Sequence, residues 1–322
     1  MALPTLIDIA KVNGADDGLA ELADEAARSV PEISGMAYAG AKLVRVPNMG
    51  ASRDIKGTQY KTLVRTGLPT FAFRDANAGV VPSVSTYENR LVECFIANSR
   101  WQADKAIADA CEDGAPAYIA EEAQAVLLST FMGLGAQFYY GRSTGGDAKG
   151  HPGLLASLDA ALTLDATGTT DNVASSLWAV KFGPQHVQWV LGAGGKLAVD
   201  EVRIQTLADP NDATKFLTYY IQEVLAWVGV QVKNKFSVGR IKKLTTDAGK
   251  GLTDALIGSL IAKFPVGTVP DVLLCSRRSL EQLRASRTAT SSTGVEAEIP
   301  TDWQGIPIVP TDSILNTETL AL

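Results

Sequence analysis

Histidine is nearly missing from the 322-residue chain, which has two, and cysteine is scarce, with three. Cys94, Cys111 and Cys275 are widely spaced and form no C-x-x-C pair, so neither a disulfide framework nor a cysteine-ligated zinc site is expected; three reduced, mostly buried thiols are. With His151 and His186 alone and no clustered carboxylate motif, no metal site and no cofactor are expected either. No run of about 18 apolar residues exists, which argues against a transmembrane helix and a membrane role. The first residues, MALPTLIDIAKVNGADDG, lack a basic start, an apolar block and a small-residue cleavage site, so secretion is not expected. Basic charge is also short: 29 Lys and Arg against 35 Asp and Glu give a net charge of −6. That balance disfavours a protein whose main work is gripping nucleic acid through phosphates. The longest basic cluster, Arg240 to Lys243, reads as a solvated strand end.

What the chain does have is hydrophobic content, 46%, enough for a sizeable core and two or three structural units. The stretch GAPAYIAEEAQAVLLSTFMGLGAQFYYG, from Gly114 to Gly141, organises the rest. Asp113 is a plausible cap, Pro116 suits a first helical turn and Gly141 is a natural stop. Ile119, Ala123, Val126, Leu127, Thr130, Leu134 and Phe138 recur at three- and four-residue steps, which puts them on one face of a helix over 115–140. Gly133 and Gly135 each cost about 1 kcal/mol relative to Ala in a helix, and suggest close packing by a neighbour or a local break.

Residues 1–53 read as an extended arm containing one short acidic helix, with Leu19, Leu22, Ala26 and Val30 as its apolar stripe and Pro31 ending it. Such a helix is marginal alone and must dock on something. From Lys56 to Ile96 the chain alternates as two strands. Tyr60, Thr62, Val64 and Thr66 oppose Gln59, Lys61, Leu63 and Arg65; then Tyr87, Leu91 and Phe95 oppose Thr86, Glu88, Arg90, Val92, Cys94 and Ile96. Between them lies the turn-rich LPTFAFRDANAGVVP. The construction is a long β-hairpin with an elaborate tip carrying Phe71 and Phe73. A two-stranded ribbon is marginal in water, so it belongs either to a larger sheet of its own domain or to the surface of a neighbouring subunit.

Downstream, LLASLDAAL predicts a short amphipathic helix. LWAVKFG, HVQWVLG, LAVDEVRIQTL, FLTYYIQEVLAWVGVQVK and FSVGRIKKL predict strands. DAGKGLTDALIGSLIAKFP predicts a helix with Leu252, Leu256, Leu260 and Phe264 on one side. VPDVLLCS is a buried strand, RRSLEQLRAS a turn or two of helix, TATSSTGVEAEIP a polar mobile stretch and WQGIPIVPTDSIL a closing strand. Helices and strands interspersed without β-α-β alternation give an α+β class.

Two strings invite chemistry. Gly141-Arg142-Ser143-Thr144-Gly145 satisfies G-x-S-x-G, but a nucleophile elbow needs a strand before the Ser and a helix after it, and here a helix precedes. Gly192-Ala193-Gly194-Gly195-Lys196 fails as a phosphate loop, because Val190 stands at the first Gly position and Leu197 at the Mg²⁺-binding Ser or Thr; it reads as a tight turn between strands. Trp178, Trp189, Trp227 and Trp303 read as core or subunit-contact aromatics.

The segments GTQYKTLVRTGLPTFAFRDANAGVVPSVSTYENRLVECF, DKAIADA, GGDAKGHPGLL and WQGIPIVPTDSILNTE, in that order, resemble the major capsid proteins of tailed bacteriophages with the Hong Kong 97 fold. The resemblance spans nearly the whole chain and rests on segments, not on a catalytic signature. It implies an N-terminal arm (1–53), an extended loop (54–97), a peripheral domain (98–150 and 195–240) around the spine helix, and an axial domain (151–194 and 241–322). It implies hexamers and pentamers closing an icosahedral shell around double-stranded DNA held without sequence reading, in the virion and assembled in the bacterial host cytoplasm. A scaffolding protein, a portal and a decoration protein are the implied partners. Lys61, Arg65, Glu88 and Arg90 along the ribbon, and Phe71, Phe73, Arg74, Asp75 and Asn77 at its tip, are the expected intersubunit contacts. Lys56 and Lys61 lie where some members crosslink, but no Asn or Glu motif matches the partners. The alternatives are an encapsulin-like nanocompartment shell of the same fold and, more remotely, a serine hydrolase using Ser143; a non-enzymatic role is the main expectation.

Overall fold

The computed structural model describes residues 30–39, 42–195, 197–209, 212, 214–290 and 295–322. The arm helix expected from Leu19 to Val30 lies outside them except for Val30, whose carbonyl accepts from Ile33 and Ser34 at the start of α1 (Pro31–Ser34). A small hairpin, β1 (Met36–Ala39) and β2 (Lys42–Arg45), follows. Next come β3 (Ser52–Asp54), the ribbon strands β4 (Gln59–Gly67) and β5 (Thr86–Glu93), β6 (Phe95–Asp104), α2 (Lys105–Ala108) and the spine helix α3 (Ala115–Tyr140). The second half contains β7 (Thr163–Asp165), β8 (Ser175–Val180), β9 (Val187–Leu191), β10 (Leu197–Val199), β11 (Arg203–Ala208), β12 (Phe216–Val232) and β13 (Val238–Leu244). It closes with α4 (Asp254–Ile261), β14 (Val272–Cys275), α5 (Arg277–Thr290), β15 (Asp302–Trp303) and β16 (Ile306–Pro310). The α+β expectation is borne out.

The spine helix has 26 residues, roughly 39 Å of axis. Its cap differs from expectation: the N-cap is Gly114 at φ 84°, with no side-chain cap, because a backbone on the left-handed side there is open to Gly and closed to Asp. Of the two helix glycines only Gly135 is closely packed. A Cβ there would lie 2.3 Å from Ser313 Oγ and 2.8 Å from Glu32 Oε1, whereas one on Gly133 would meet nothing. Gln137, outside the expected apolar face, is buried: its amide donates to Asp147 O at 3.1 Å and His151 O at 2.7 Å and its carbonyl accepts from Asp147 N at 2.6 Å. The loop after the helix hangs from that side chain.

Two sheets share the body. In one, the 17-residue β12 pairs with β6 along one edge, Phe95 opposite Val228 through Asp104 opposite Tyr219, and with β11, β10 and β9 in turn along the other; β3 extends it. The other runs β15-β16-β14-β8-β13-β7, with β13/β7 and β14/β16 parallel. Every residue of β8 is buried, as an interior strand requires. Phe138, Tyr139, Trp178, Trp189, Val180 and Val228 form a core between the sheets and the helix. A second core packs Ile257 and Leu260 of α4 and Leu283 of α5 on Leu177, Ile241 and Leu273. Each such side chain contributes about 1.5–3 kcal/mol by leaving water.

Several local expectations are corrected. LLASLDAAL forms two single 3₁₀ turns, Leu155–Ser157 and Ala160–Leu162, the second capped by Asp159, which accepts from Ala161 N. RRSLEQLRAS belongs to a 14-residue helix that runs to Thr290, into the stretch expected to be mobile. Arg240 is not solvated but 1% exposed. Its guanidinium donates to Ser176 Oγ at 2.9 Å, to the Leu322 carbonyl at 2.7 Å and to Glu318 Oε2 at 3.1 Å, and lies over Trp178. Tyr140, at the end of the spine helix, donates to the other Glu318 oxygen at 2.6 Å. Only Lys242 and Lys243 of the cluster are partly open to solvent, and Lys243 pairs with Asp165 at 2.7 Å.

Candidate assembly surface

The ribbon is built by the alternation read from the sequence, in the register Gln59 opposite Glu93 through Arg65 opposite Tyr87, with a bulge before Gly67 opposite Thr86. The second strand does not continue to Ile96: it ends at Glu93, and Cys94, whose amide donates to Thr58 O at 2.8 Å, turns the chain into β6 of the long sheet. The ribbon's root therefore rests on its own subunit. Thr62 and Val92 are buried, Tyr60 donates a hydrogen bond to Gln231, Arg53 lies over the Tyr60 ring, and Val92 and Cys94 pack with Val190. The ribbon's other face is open: Leu63, Tyr87 and Leu91, which alternate with the supported residues, are each about half exposed, at 54%, 53% and 50%.

At the tip Phe71 and Phe73 are 81% and 92% exposed, with ring centroids 4.9 Å apart edge to face. Leu68, Val81 and Val84 are exposed beside them. The tip is ordered by local bonds: Arg74 donates to Ala78 O at 2.8 Å, Ala78 N to Asp75 O at 3.1 Å, and Thr70 N to Ser83 Oγ at 2.8 Å across the base. Asn77 takes the positive φ of that turn, 66°, a conformation Asn tolerates better than most residues. Exposed apolar clusters of this kind mark interaction sites.

Of the charged residues singled out, Lys61 stands exposed on the outer face. Arg65 donates to Tyr87 OH at 3.3 Å and lies over its ring, and Arg90 pairs with Glu88 at 3.8 Å. Arg65 and Arg90 also line a cleft of about 750 Å³ between the ribbon and the 233–236 turn, together with Lys233, Lys235, His186 and Phe236. The sequence reading missed the second bank of this basic cleft, since nothing in KNKF signals that its turn faces the ribbon. His186 is held there by its Nδ1 contact with Ser237 Oγ at 2.9 Å, and burial holds its imidazole below the usual range.

The spine residues fall into two groups. Phe138 is fully buried against Tyr139 and Trp189, with Leu134 packed on the same core. Ile119 and Val126 pack on Trp101 and Tyr118, while Ala123 and Leu127 are half-buried. Trp178 and Trp189 are core residues; Trp227 and Trp303 are half-buried.

Ser143 follows the spine helix in a turn, and its hydroxyl donates to the Tyr140 carbonyl at 2.6 Å, which satisfies a helix C-terminal acceptor. His151 is 2% exposed and burial pushes its imidazole down to about 4. Residues 193–195 form the turn between β9 and β10, and Lys196 lies outside the described residues. Cys94, Cys111 and Cys275 are free and buried, and burial pushes the Cys275 thiol up to about 12. Among the described residues no group of three or more His, Cys, Asp or Glu could hold a metal, and no helix is long and apolar enough to cross a membrane.

Comparison with solved structures gives the fold. The structure of bacteriophage Epsilon15 matches with a TM-score of 0.71 at 18% identity, covering 99% of this chain and 97% of that one. The bacteriophage JBD30 capsid gives 0.48 at 10% identity over 94% and 98%. The SrpI encapsulin of Synechococcus elongatus PCC 7942 gives 0.47 at 8% identity over 77% and 98%. No curated protein matches the chain in sequence. The architecture is thus the Hong Kong 97 fold of tailed-phage shells. Residues 49–321 match the family described as major capsid protein GP7, and the chain belongs to that family of major capsid proteins.

Proposed function

We propose that the chain assembles as hexamers and pentamers into a closed icosahedral shell around double-stranded DNA, with the ribbon as the element that joins one copy to the next. The observation that carries this reading is the contrast within the ribbon: a root packed on its own subunit and a tip with Phe71 and Phe73 almost wholly in solvent. Burying that tip removes apolar area from water, which favours association. Phe71, Phe73, Arg74, Asp75 and Asn77 form the tip contact. Lys61, Arg65, Glu88 and Arg90, with Lys233 and Lys235 across the cleft, form a charged contact that sets which neighbour fits.

The long sheet with the spine helix is the peripheral domain and the sheet carrying α4 and α5 the axial one. β9 then groups with the peripheral sheet, and the axial strand β13 runs through residue 240. The subunit works by assembly and not by catalysis. The acidic net charge fits DNA enclosed without sequence recognition, in a virion put together in the host cytoplasm with scaffolding, portal and decoration proteins.

Electron microscopy of the purified chain, alone and with a co-expressed scaffolding protein, is the test. Closed particles that lose the ability to form when residues 68–82 are deleted, while the subunit stays folded, are expected. A homogeneous monomer in both preparations, or normal particles from the deletion variant, overturns the reading. DNA in particles from infected cells is expected; particles that instead carry a peptide-bound cargo enzyme favour the encapsulin-like alternative.

A further inference from the structure

Glu32 is the acidic residue least explained by the fold. It sits in the four-residue helix α1, yet it is 0% exposed. Its carboxylate accepts from the Thr311 hydroxyl at 3.1 and 3.4 Å, and its own backbone carbonyl accepts from Trp189 Nε1 at 2.8 Å. On the spine-helix side it lies against Gly135, the position where any side chain would collide with Glu32, Val30 and Ser313. A short helix carrying a carboxyl has thus been seated in a slot cut by a glycine.

The charged and titratable groups around it do nothing to favour its anion. From the 311–313 segment the nearby charge is Asp312, which is acidic; from the spine helix it is the Tyr139 phenol, itself pushed up by burial and by Glu32. Burial pushes the carboxyl up to about 7; the Thr311 hydroxyl that donates to it offsets only part of that, and Asp312 adds to it. A buried carboxylate without a counter-charge is costly, whereas a carboxylic acid hydrogen-bonded to hydroxyls is not.

We propose that Glu32 is a proton-operated latch: protonated, it holds residues 30–35 in the slot between the spine helix and the 311–313 segment, and on ionising it lets them leave. The sign follows from linkage. Below the ordinary carboxyl value of 4.5 both seated and released forms are protonated and the latch holds fully. Between 4.5 and about 7 only the seated form keeps its proton, so release becomes about tenfold easier per pH unit. Above about 7 both forms are ionised and the effect levels off, at roughly 300-fold in all.

Hydrogen exchange of the full chain, followed by mass spectrometry from pH 5 to 8 and corrected for intrinsic rates, reads the latch in the peptide spanning 30–36. The expected result is protection that falls by about two powers of ten across that range in the wild type and stays level in Glu32→Gln, with peptides of the spine helix unchanged in both. Level protection in the wild type, or the same fall in both proteins, overturns the proposal. Should Glu32→Gln not fold, carbon-13 titration of the Glu32 carboxyl in the wild type decides instead: a midpoint near 7 supports the latch and one below 5 overturns it. Neither readout depends on particles forming, so the shell reading and the latch fail separately.

Discussion

The ribbon and the junction around Arg240 place charged side chains in opposite settings. On the ribbon, Arg90 meets Glu88 at 3.8 Å with both partly in water, a pair of the kind that contributes little to stability. At the junction, Arg240 and Glu318 are each 1% exposed and every guanidinium nitrogen has a partner. The junction ties β8, β13, the spine helix and the C-terminal residues together, while the charged side chains of the ribbon stay partly in water. Such a separation fits the proposed division of labour between a stiff body and a ribbon that joins copies.

The comparison is broken most severely at the junction. Glu318→Ala leaves Arg240 buried and unpaired, and a loss of about 3–5 kcal/mol is expected, read by calorimetry or denaturant titration. Acid gives the next largest effect. His151 is buried with its imidazole held down to about 4 against an ordinary 6.5, so the unfolded chain takes up its proton first as pH falls. Its penalty is absent above pH 6.5, grows between 6.5 and 4, and reaches about 3 kcal/mol; denaturant titrations of wild type and His151→Leu across that window are expected to diverge by that amount. Gly135→Ala forces a Cβ into Ser313 and Glu32, at an expected cost of about 1–3 kcal/mol, measurable as a lower Tm. At the other pole, Phe71→Ser with Phe73→Ser is expected to change subunit stability by less than about 0.5 kcal/mol while abolishing or sharply reducing particle yield in electron microscopy. If that double variant unfolds instead, the tip is part of the body and the contrast drawn above is wrong.

Legibility in the sequence followed the same division. The spine helix, the ribbon and the class of fold are periodic features, and three- and two-residue periods are visible without a partner. The breaks in that reading fall where backbone conformation or a distant residue decides. Asp113 resembles a cap, but the chain reaches the helix through a positive φ at Gly114. Arg240 sits in a basic run, and partners distant in sequence, Ser176, Leu322 and Glu318, make it an interior residue. Gly133 and Gly135 look alike in sequence and differ because Ser313, Val30 and Glu32 converge on one of them. The ribbon tip was legible because Phe71 and Phe73 in a turn-rich segment have no periodic place in a core; the 233–236 bank of the cleft was not, because its position is set by partners about 50 residues away in sequence, such as the His186 carbonyl that accepts from Lys233 N at 3.1 Å.

The continuity of β5 into β6 through Cys94 has a mechanical consequence. Tension applied at the tip passes along β5 into the ladder between β6 and β12, which has ten opposed residue pairs, Phe95–Asp104 against Val228–Tyr219. Antiparallel bonds run perpendicular to their strands, so the part of such a load that lies along β6 is shared by all ten pairs in shear.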